Sequence, residues 1–145
     1  MIRFATIQDA EEIMRIGSMY AAETILGSLS TEQMRVLINI CLTNGVVLLA
    51  EREGKVVGII AGRIVEECAA MGKFFEEVIW YVDPNNRGLG IMLFKRLLAV
   101  CKTNGCDGVS MWAYCNEHLE GVDRLYKRSG FKEVERKYYK TLQGE

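Results

Sequence analysis

The run Phe74 to Val82, stopped by Asp83-Pro84-Asn85-Asn86 and followed by Gly88-x-Gly90 and a helical apolar stripe, most constrains what this chain can fold into. A run rich in apolar, aromatic and β-branched side chains predicts a strand, and a proline with paired asparagines ends one. From Gly88 to Thr103, Ile91, Phe94, Leu98 and Cys101 recur at helical spacing, Leu93, Leu97 and Val100 widen the stripe, and Asn104-Gly105 closes it. A stripe that wide predicts a largely buried helix. With Gly108 to Cys115 read as another strand, Phe74 to Cys115 forms a strand, helix, strand unit, which predicts a parallel pair with a right-handed crossover.

The flanking sequence predicts the rest. Ile2 to Ala5 reads as a short strand, and Thr6 and Asp9 have capping-box spacing ahead of a helix with Ile13, Ile16 and Tyr20 on its apolar side. Ser30 and Gln33 repeat that spacing before a second helix striped by Met34, Leu37, Ile38, Cys41 and Leu42. Val46 to Ala50 and Val56 to Val65 predict an antiparallel hairpin across residues 51–55, with Gly54 at positive φ. Leu119 to Ser129 predicts a short helix, and Phe131 to Leu142 one or two final strands after the Gly130 break. The order βααβββαβαβ implies an α/β (α+β) fold, with a mixed, mostly antiparallel sheet containing one parallel pair and helices on both faces. The 145 residues, with one proline and no Ser/Gly-rich stretch, are expected to form a single domain over residues 1–145.

Composition narrows the function classes. Eighteen Lys plus Arg against 19 Asp plus Glu leave a net charge of −1, so no whole face carries a field for a nucleic acid. Five cysteines, Cys41, Cys68, Cys101, Cys106 and Cys115, are odd in number and form no CxxC pair; they predict reduced core residues. A single histidine, His118, argues against a multi-histidine metal site and reads as an exposed turn residue. The N-terminus turns acidic within nine residues, and no apolar run approaches the roughly 18 residues of a membrane span, so a cytoplasmic protein with no membrane partner is expected.

Arg87-Gly88-Leu89-Gly90-Ile91-Met92 sits between the end of a strand and the start of a helix. Glycines there let a ligand approach the backbone closely, and the first N–H groups of a helix lack internal acceptors. Such a turn either cradles an anion or simply packs tightly. A dinucleotide fingerprint would place a third glycine where Leu93 stands, and a Walker A loop would end in Gly-Lys-Ser/Thr.

Trp80-Tyr81-Val82-Asp83-Pro84, the Arg87-x-x-Gly90-x-Met92 loop and Leu125-Tyr126-x-x-x-Gly130-Phe131, together with the order of elements, resemble the GNAT superfamily of acyl-CoA N-acyltransferases over nearly the whole chain. Met92 stands where that family usually has Gly or Ala, so its side chain points away from the pyrophosphate or narrows its site. The resemblance implies that the amides of Arg87, Gly88, Leu89, Gly90, Ile91 and Met92 bind the pyrophosphate of acetyl-CoA, and that the backbone at Tyr81 and Val82 holds pantetheine and the thioester carbonyl. It also implies that Tyr126 protonates the departing thiolate and that Asn116 contacts the cofactor, although the spacing from Asn116 to Tyr126 is longer than usual.

Glu76 and Glu77 are candidate bases for the attacking amine. Strand alternation puts them on opposite faces, so one of the two at most faces the cleft. Seven basic and two acidic residues between Arg124 and Lys140 fit either an adenosine 3′-phosphate site or a lysine-blunted edge strand, and the edge strand is the expectation. Trp80, Trp112, Phe74 and Phe75 are expected in the core or the cleft wall. The functional expectation is an acetyl-CoA-dependent N-acetyltransferase acting on a small-molecule or peptide amine by direct attack in a ternary complex, without metal. Similar proteins are often homodimers. The alternative is a non-catalytic acyl-CoA-binding or interaction module of the same fold.

Overall fold

A computed structural model of the chain describes residues 1–24, 30–66 and 72–143. They divide into two compact units, residues 1–111 and 112–145. The first unit holds a five-stranded sheet in the order β1-β2-β3-β4-β5, formed by Ile2–Phe4, Gly45–Arg52, Lys55–Glu66, Lys73–Val82 and Gly108–Ser110. Neighbours β1 to β4 pair antiparallel, and β4 pairs with β5 in parallel, as the strand, helix, strand reading predicts.

Three helices cover the sheet. The first two, α1 (Ala10–Ala22) and α2 (Thr31–Asn44), bury Ile13, Ile16 and Cys41 against Val47, Leu49, Ile59 and Tyr81 on one face. On the other face, α3 (Leu89–Thr103) buries Leu93, Leu97 and Cys101 against Leu48, Ile60, Phe75 and Val82. Both sheet faces are therefore dry, and β2 and β3 read as unbroken apolar runs because neither face looks onto water. The buried stripe of α3 is Gly90, Leu93, Phe94, Leu97, Val100 and Cys101; Ile91, expected inside, is 48% exposed.

Local signals hold closely at both capping boxes. Asp9 Oδ2 accepts from Thr6 N at 2.7 Å, and Ser30 Oγ accepts from Gln33 N at 3.1 Å. In the β2–β3 turn both Glu53 (φ 54°) and Gly54 (φ 75°) adopt the left-handed conformation, so a two-residue turn replaces the looser five-residue connection. Two bulges are invisible to pattern reading. Val57 has no partner between the pairs Glu51↔Val56 and Ala50↔Gly58, and Val78 has none between Gly62↔Glu77 and Ala61↔Ile79. Each extra residue reverses the in/out alternation beyond it.

Residues 112–143 form the second unit, with one helix, α4 (Leu119–Arg128). The expected strand to Cys115 stops at Ser110, and residues 131–143 contain no strand; Val134, Tyr138, Tyr139 and Leu142 are exposed. The edge-strand expectation for the basic C-terminal run is thus corrected. Alternation reports which side chains would share a face, but a strand also needs a partner for its backbone, and no described segment supplies one. Cys41 and Cys101 are buried as expected, Cys106 is half-buried, Cys115 is exposed, and Cys68 lies outside the described residues.

A methyl at Gly62, opposite the Val78 bulge, would overlap the Glu76 carbonyl oxygen and the Phe75 ring. Gly62→Ala is expected to lower the unfolding free energy by about 1–3 kcal/mol in a urea titration, the range for overpacking a filled core.

Candidate active site

The site begins where β4 loses a neighbour. Its ladder with β5 covers Phe74↔Gly108, Phe75↔Val109 and Glu76↔Ser110, whereas β4 runs on to Val82. Beyond Glu76 the β4–β5 ladder ends, and no other described strand pairs with that edge of β4. Backbone N–H and C=O groups along such an edge are ready partners for an extended ligand.

The strand leads into the glycine turn. Asp83 N donates to Val57 O at 2.8 Å, Asp83 Oδ1 accepts from Asn85 N at 2.9 Å, and Arg52 Nη1 donates to Asn86 Oδ1 at 2.8 Å, so the turn is fastened to the β2–β3 hairpin. Gly88 then stands at the N-cap of α3 with φ −57° and ψ −24° and supplies no capping side chain; the first turn of α3 contains no acidic residue. The other three helices each carry an acidic residue in the first turn. Gly90 N donates to Arg87 O at 3.0 Å, and the other amides at this helix start, with no capping side chain and no carboxylate beside them, suit an anion. Gly90 is buried, and Met92 is 52% exposed.

Arg87 is tied to α1. Its Nη2 lies 3.6 Å from Glu23 Oε2 and its guanidinium stands 5.5 Å from the Tyr81 ring centroid, while Tyr81 Oη donates to Glu23 Oε1 at 3.1 Å. Burial pushes the Tyr81 phenol above its ordinary value, and the Glu23 carboxylate pushes it further. Sequence reasoning did not single out Glu23; one carboxylate at the end of an amphipathic helix carries no local signal, and its role appears only when α1 lies against β4.

Glu76 and Glu77 do point to opposite faces. Glu76 lies opposite Arg63 and accepts from its Nε at 3.1 Å and its Nη2 at 2.9 Å. Ala61, two residues before Arg63 on β3, packs in the α1/α2-side core, so strand alternation puts this pair on the α1/α2 face. Glu77, only 6% exposed, alternates with Phe75 and so lies on the α3 face.

In the second unit, Tyr126 is 8% exposed, and its hydroxyl donates to the Trp112 carbonyl at 2.7 Å. Its ring lies 5.4 Å from that of Phe131, which explains why the Tyr126-x-x-x-Gly130-Phe131 spacing closes on itself: Gly130 takes φ 88°, and Phe131 N bonds Tyr126 O. Asn116 is exposed, and its Oδ1 accepts from His118 N at 2.9 Å, an Asx turn leading into α4. His118 is exposed, as expected of a turn residue.

The acetyltransferase (GNAT) family model matches residues 7–131, which include β2 to β5, the glycine turn and α4. The chain belongs to the GNAT acetyltransferase family. No curated protein matches it. Among solved structures, a possible acetyltransferase from Clostridium difficile 630 is 20% identical with a TM-score of 0.74, covering 97% of this chain and 95% of that one. The ribosomal-protein-alanine N-acetyltransferase of Brucella melitensis biovar Abortus 2308 is 18% identical at a TM-score of 0.74, with 97% and 96% covered. An aminoglycoside 6′-N-acetyltransferase of Acinetobacter haemolyticus is 18% identical at 0.71, with 100% and 99% covered. At these identities the likeness is one of fold.

Within the first unit the GNAT fold brings Tyr81, Val82 and residues 87–92 into one continuous strand-turn-helix segment, with Glu76 and Glu77 earlier on the same strand. Tyr126 and Asn116 belong to the second unit. Among the described residues no group of three or more His, Cys, Asp or Glu side chains could hold a metal, and no helix is long and apolar enough to cross a membrane. In Glu23→Gln the Tyr81 phenol is expected to titrate at lower pH than in the parent, because a neutral amide no longer opposes the phenolate; tyrosine Cζ shifts in an NMR pH titration check this.

Proposed function

We propose that this GNAT family member is an N-acetyltransferase that moves the acetyl group of acetyl-CoA to an amine by direct attack. The observation that carries the proposal is that the β4–β5 ladder ends at Glu76↔Ser110 while β4 runs on through Tyr81 and Val82 into the glycine turn, where α3 starts with no capping side chain and no acidic residue in its first turn. A donor with an amide-bearing arm and a diphosphate offers matching chemistry to both. Backbone groups at Tyr81 and Val82 bind the arm, and the amides from Arg87 to Met92 hold the phosphate oxygens. Each such charge-assisted bond contributes about 1.5–3 kcal/mol, more than the ~0.3–1 kcal/mol of the helix dipole. Half-exposed Met92 is compatible with this binding, because its side chain is not committed to the core.

Bound acetyl-CoA supplies an activated acyl group. The amine nitrogen forms a bond to the thioester carbonyl carbon, the C–S bond breaks, and a backbone N–H of β4 stabilises the charge that grows on the carbonyl oxygen. The ammonium proton of the acceptor passes to a carboxylate. Glu76 takes this role ahead of Glu77, since it lies on the α1/α2 face and is partly exposed, whereas Glu77 is buried on the opposite face. Protonation of the thiolate is assigned to Tyr126 by motif resemblance, a phenol O–H being a proton donor. Asn116 is assigned to donor contact by motif resemblance.

Two engaged groups favour examining a second reading. Tyr126 directs its hydroxyl at Trp112, and Glu76 is paired with Arg63, an arrangement also suited to a module that binds acyl-CoA without turnover. Gly88→Ala separates fold from binding: a Cβ there meets nothing within 4 Å and the backbone is already helical. It is expected to leave the melting temperature unchanged or higher, while the added Cβ keeps a phosphate from closing on the amides of the turn and weakens acetyl-CoA about ten- to a hundredfold in calorimetric titration. Tyr126→Phe is expected to lower kcat about a hundredfold or more with coenzyme affinity nearly unchanged, read as thiol release over a panel of amines. Binding of acetyl-CoA with no thiol release from any amine selects the non-catalytic module.

A further inference from the structure

A cavity of about 70 Å³, open to solvent at one side, lies between the α1/α2 layer and the sheet. Ile13 and Tyr20 of α1, Leu37 and Ile38 of α2, and Val78 and Ile79 at the β4 bulge contribute to its wall, which is almost wholly apolar. Cys41 also lines it. Burial pushes that thiol up to about 11, so it stays protonated at neutral pH and behaves as one more apolar surface.

The charges flanking this cavity are matched in pairs. Before Val78 on β4, Glu76 is bound to Arg63 at 2.9 Å. After Ile79, Tyr81 leads to Glu23 and Arg87, and Tyr20 of the cavity wall meets the Tyr81 ring edge-on at 6.3 Å. Each of these carboxylates already faces a guanidinium, so the flanks present no unmatched negative charge to a polycation. Polar or charged groups entering the cavity would lose water and find no partners on its wall, whereas an apolar group gains about fourfold in affinity for each methylene buried.

We infer that the acceptor of this enzyme is an amine whose non-reacting part is a single uncharged apolar group, aliphatic or aromatic, lodged in this cavity with the amine turned towards the open edge of β4. The inference rests on the transferase reading above and adds the chemical class of the acceptor. A polyamine or an aminoglycoside, which carries several charges and hydroxyls, is the wrong chemistry for the same wall.

The test uses the full chain saturated with coenzyme A. Linear primary alkylamines of increasing length, spermidine and an aminoglycoside are each titrated while the melting temperature is followed, and turnover of acetyl-CoA on the same amines is read by thiol release. The expected result is a midpoint that rises with tail length and a KM that falls about fourfold per methylene until the cavity is full, with neither response to the polycations. Leu37→Trp, placed on the partly exposed side of the wall, is expected to raise KM for the longest amine at least tenfold and leave KM for acetyl-CoA unchanged; Ile38→Phe serves if that variant does not fold. A flat response to tail length, a preference for the polycations, or indifference of both variants overturns the inference and leaves the transferase reading standing. Failure to bind coenzyme A is seen separately in the first titration and removes both.

Discussion

Main-chain amides and carbonyls must be bonded to something, and β4 meets that demand on its two edges differently. Along its length β3 satisfies one edge. On the other, the ladder with β5 ends at Glu76, and no other described strand continues it towards Val82. A central strand of a dry sheet is normally closed on both sides, because an unpaired buried peptide group costs about as much as a lost hydrogen bond. The gap is tolerable only where water or a ligand can reach it, and it falls immediately before the glycine turn. The end of the ladder and the turn that follows it are the features on which the proposed donor site rests.

The remainder of the first unit holds that segment in place. Phe75 and Val82 pack on the α3 side and Tyr81 on the α1/α2 side, so β4 is gripped from both faces and cannot slide. The Val78 bulge sits between them and shifts the alternation, placing Val78 and Ile79 together in the core beneath α1 and α2. Arg87, the first residue of the turn, is joined through Glu23 and Tyr81 to the end of α1. The turn that would hold a donor and the helix beside the apolar cavity therefore share one polar cluster, at half-exposed positions where ion pairs rearrange at little cost.

Much of this was legible from residue order. The two capping boxes, the stop at Asp83-Pro84 and the Gly88-x-Gly90 turn are local devices, each set by a few adjacent side chains, and each stands where expected. The strand limits beyond Ser110 were not legible, nor was the absence of strands after Phe131. Tyr138 and Tyr139 have strong strand character yet lie exposed, since pairing depends on what another part of the chain offers. Along α3 the apolar residues were read correctly, but Ile91 points outward: seven apolar positions cover more of the helix than the sheet can bury, and the contact with Leu48, Ile60 and Phe75 selects among them.

What the sequence alone determined is the set of elements, their order and the turn chemistry, because hydrophobic period, caps and glycines act over distances of a few residues. The family motifs are equally local and were readable for the same reason. Tertiary structure alone decided that β5 ends at Ser110, that Val57 and Val78 are bulged, that Glu76 faces Arg63 while Glu77 is buried on the far side, and that Glu23 reaches Tyr81 and Arg87. Each of those outcomes joins residues distant in the chain, and their energies depend on which surfaces meet across the sheet, a quantity no local window contains.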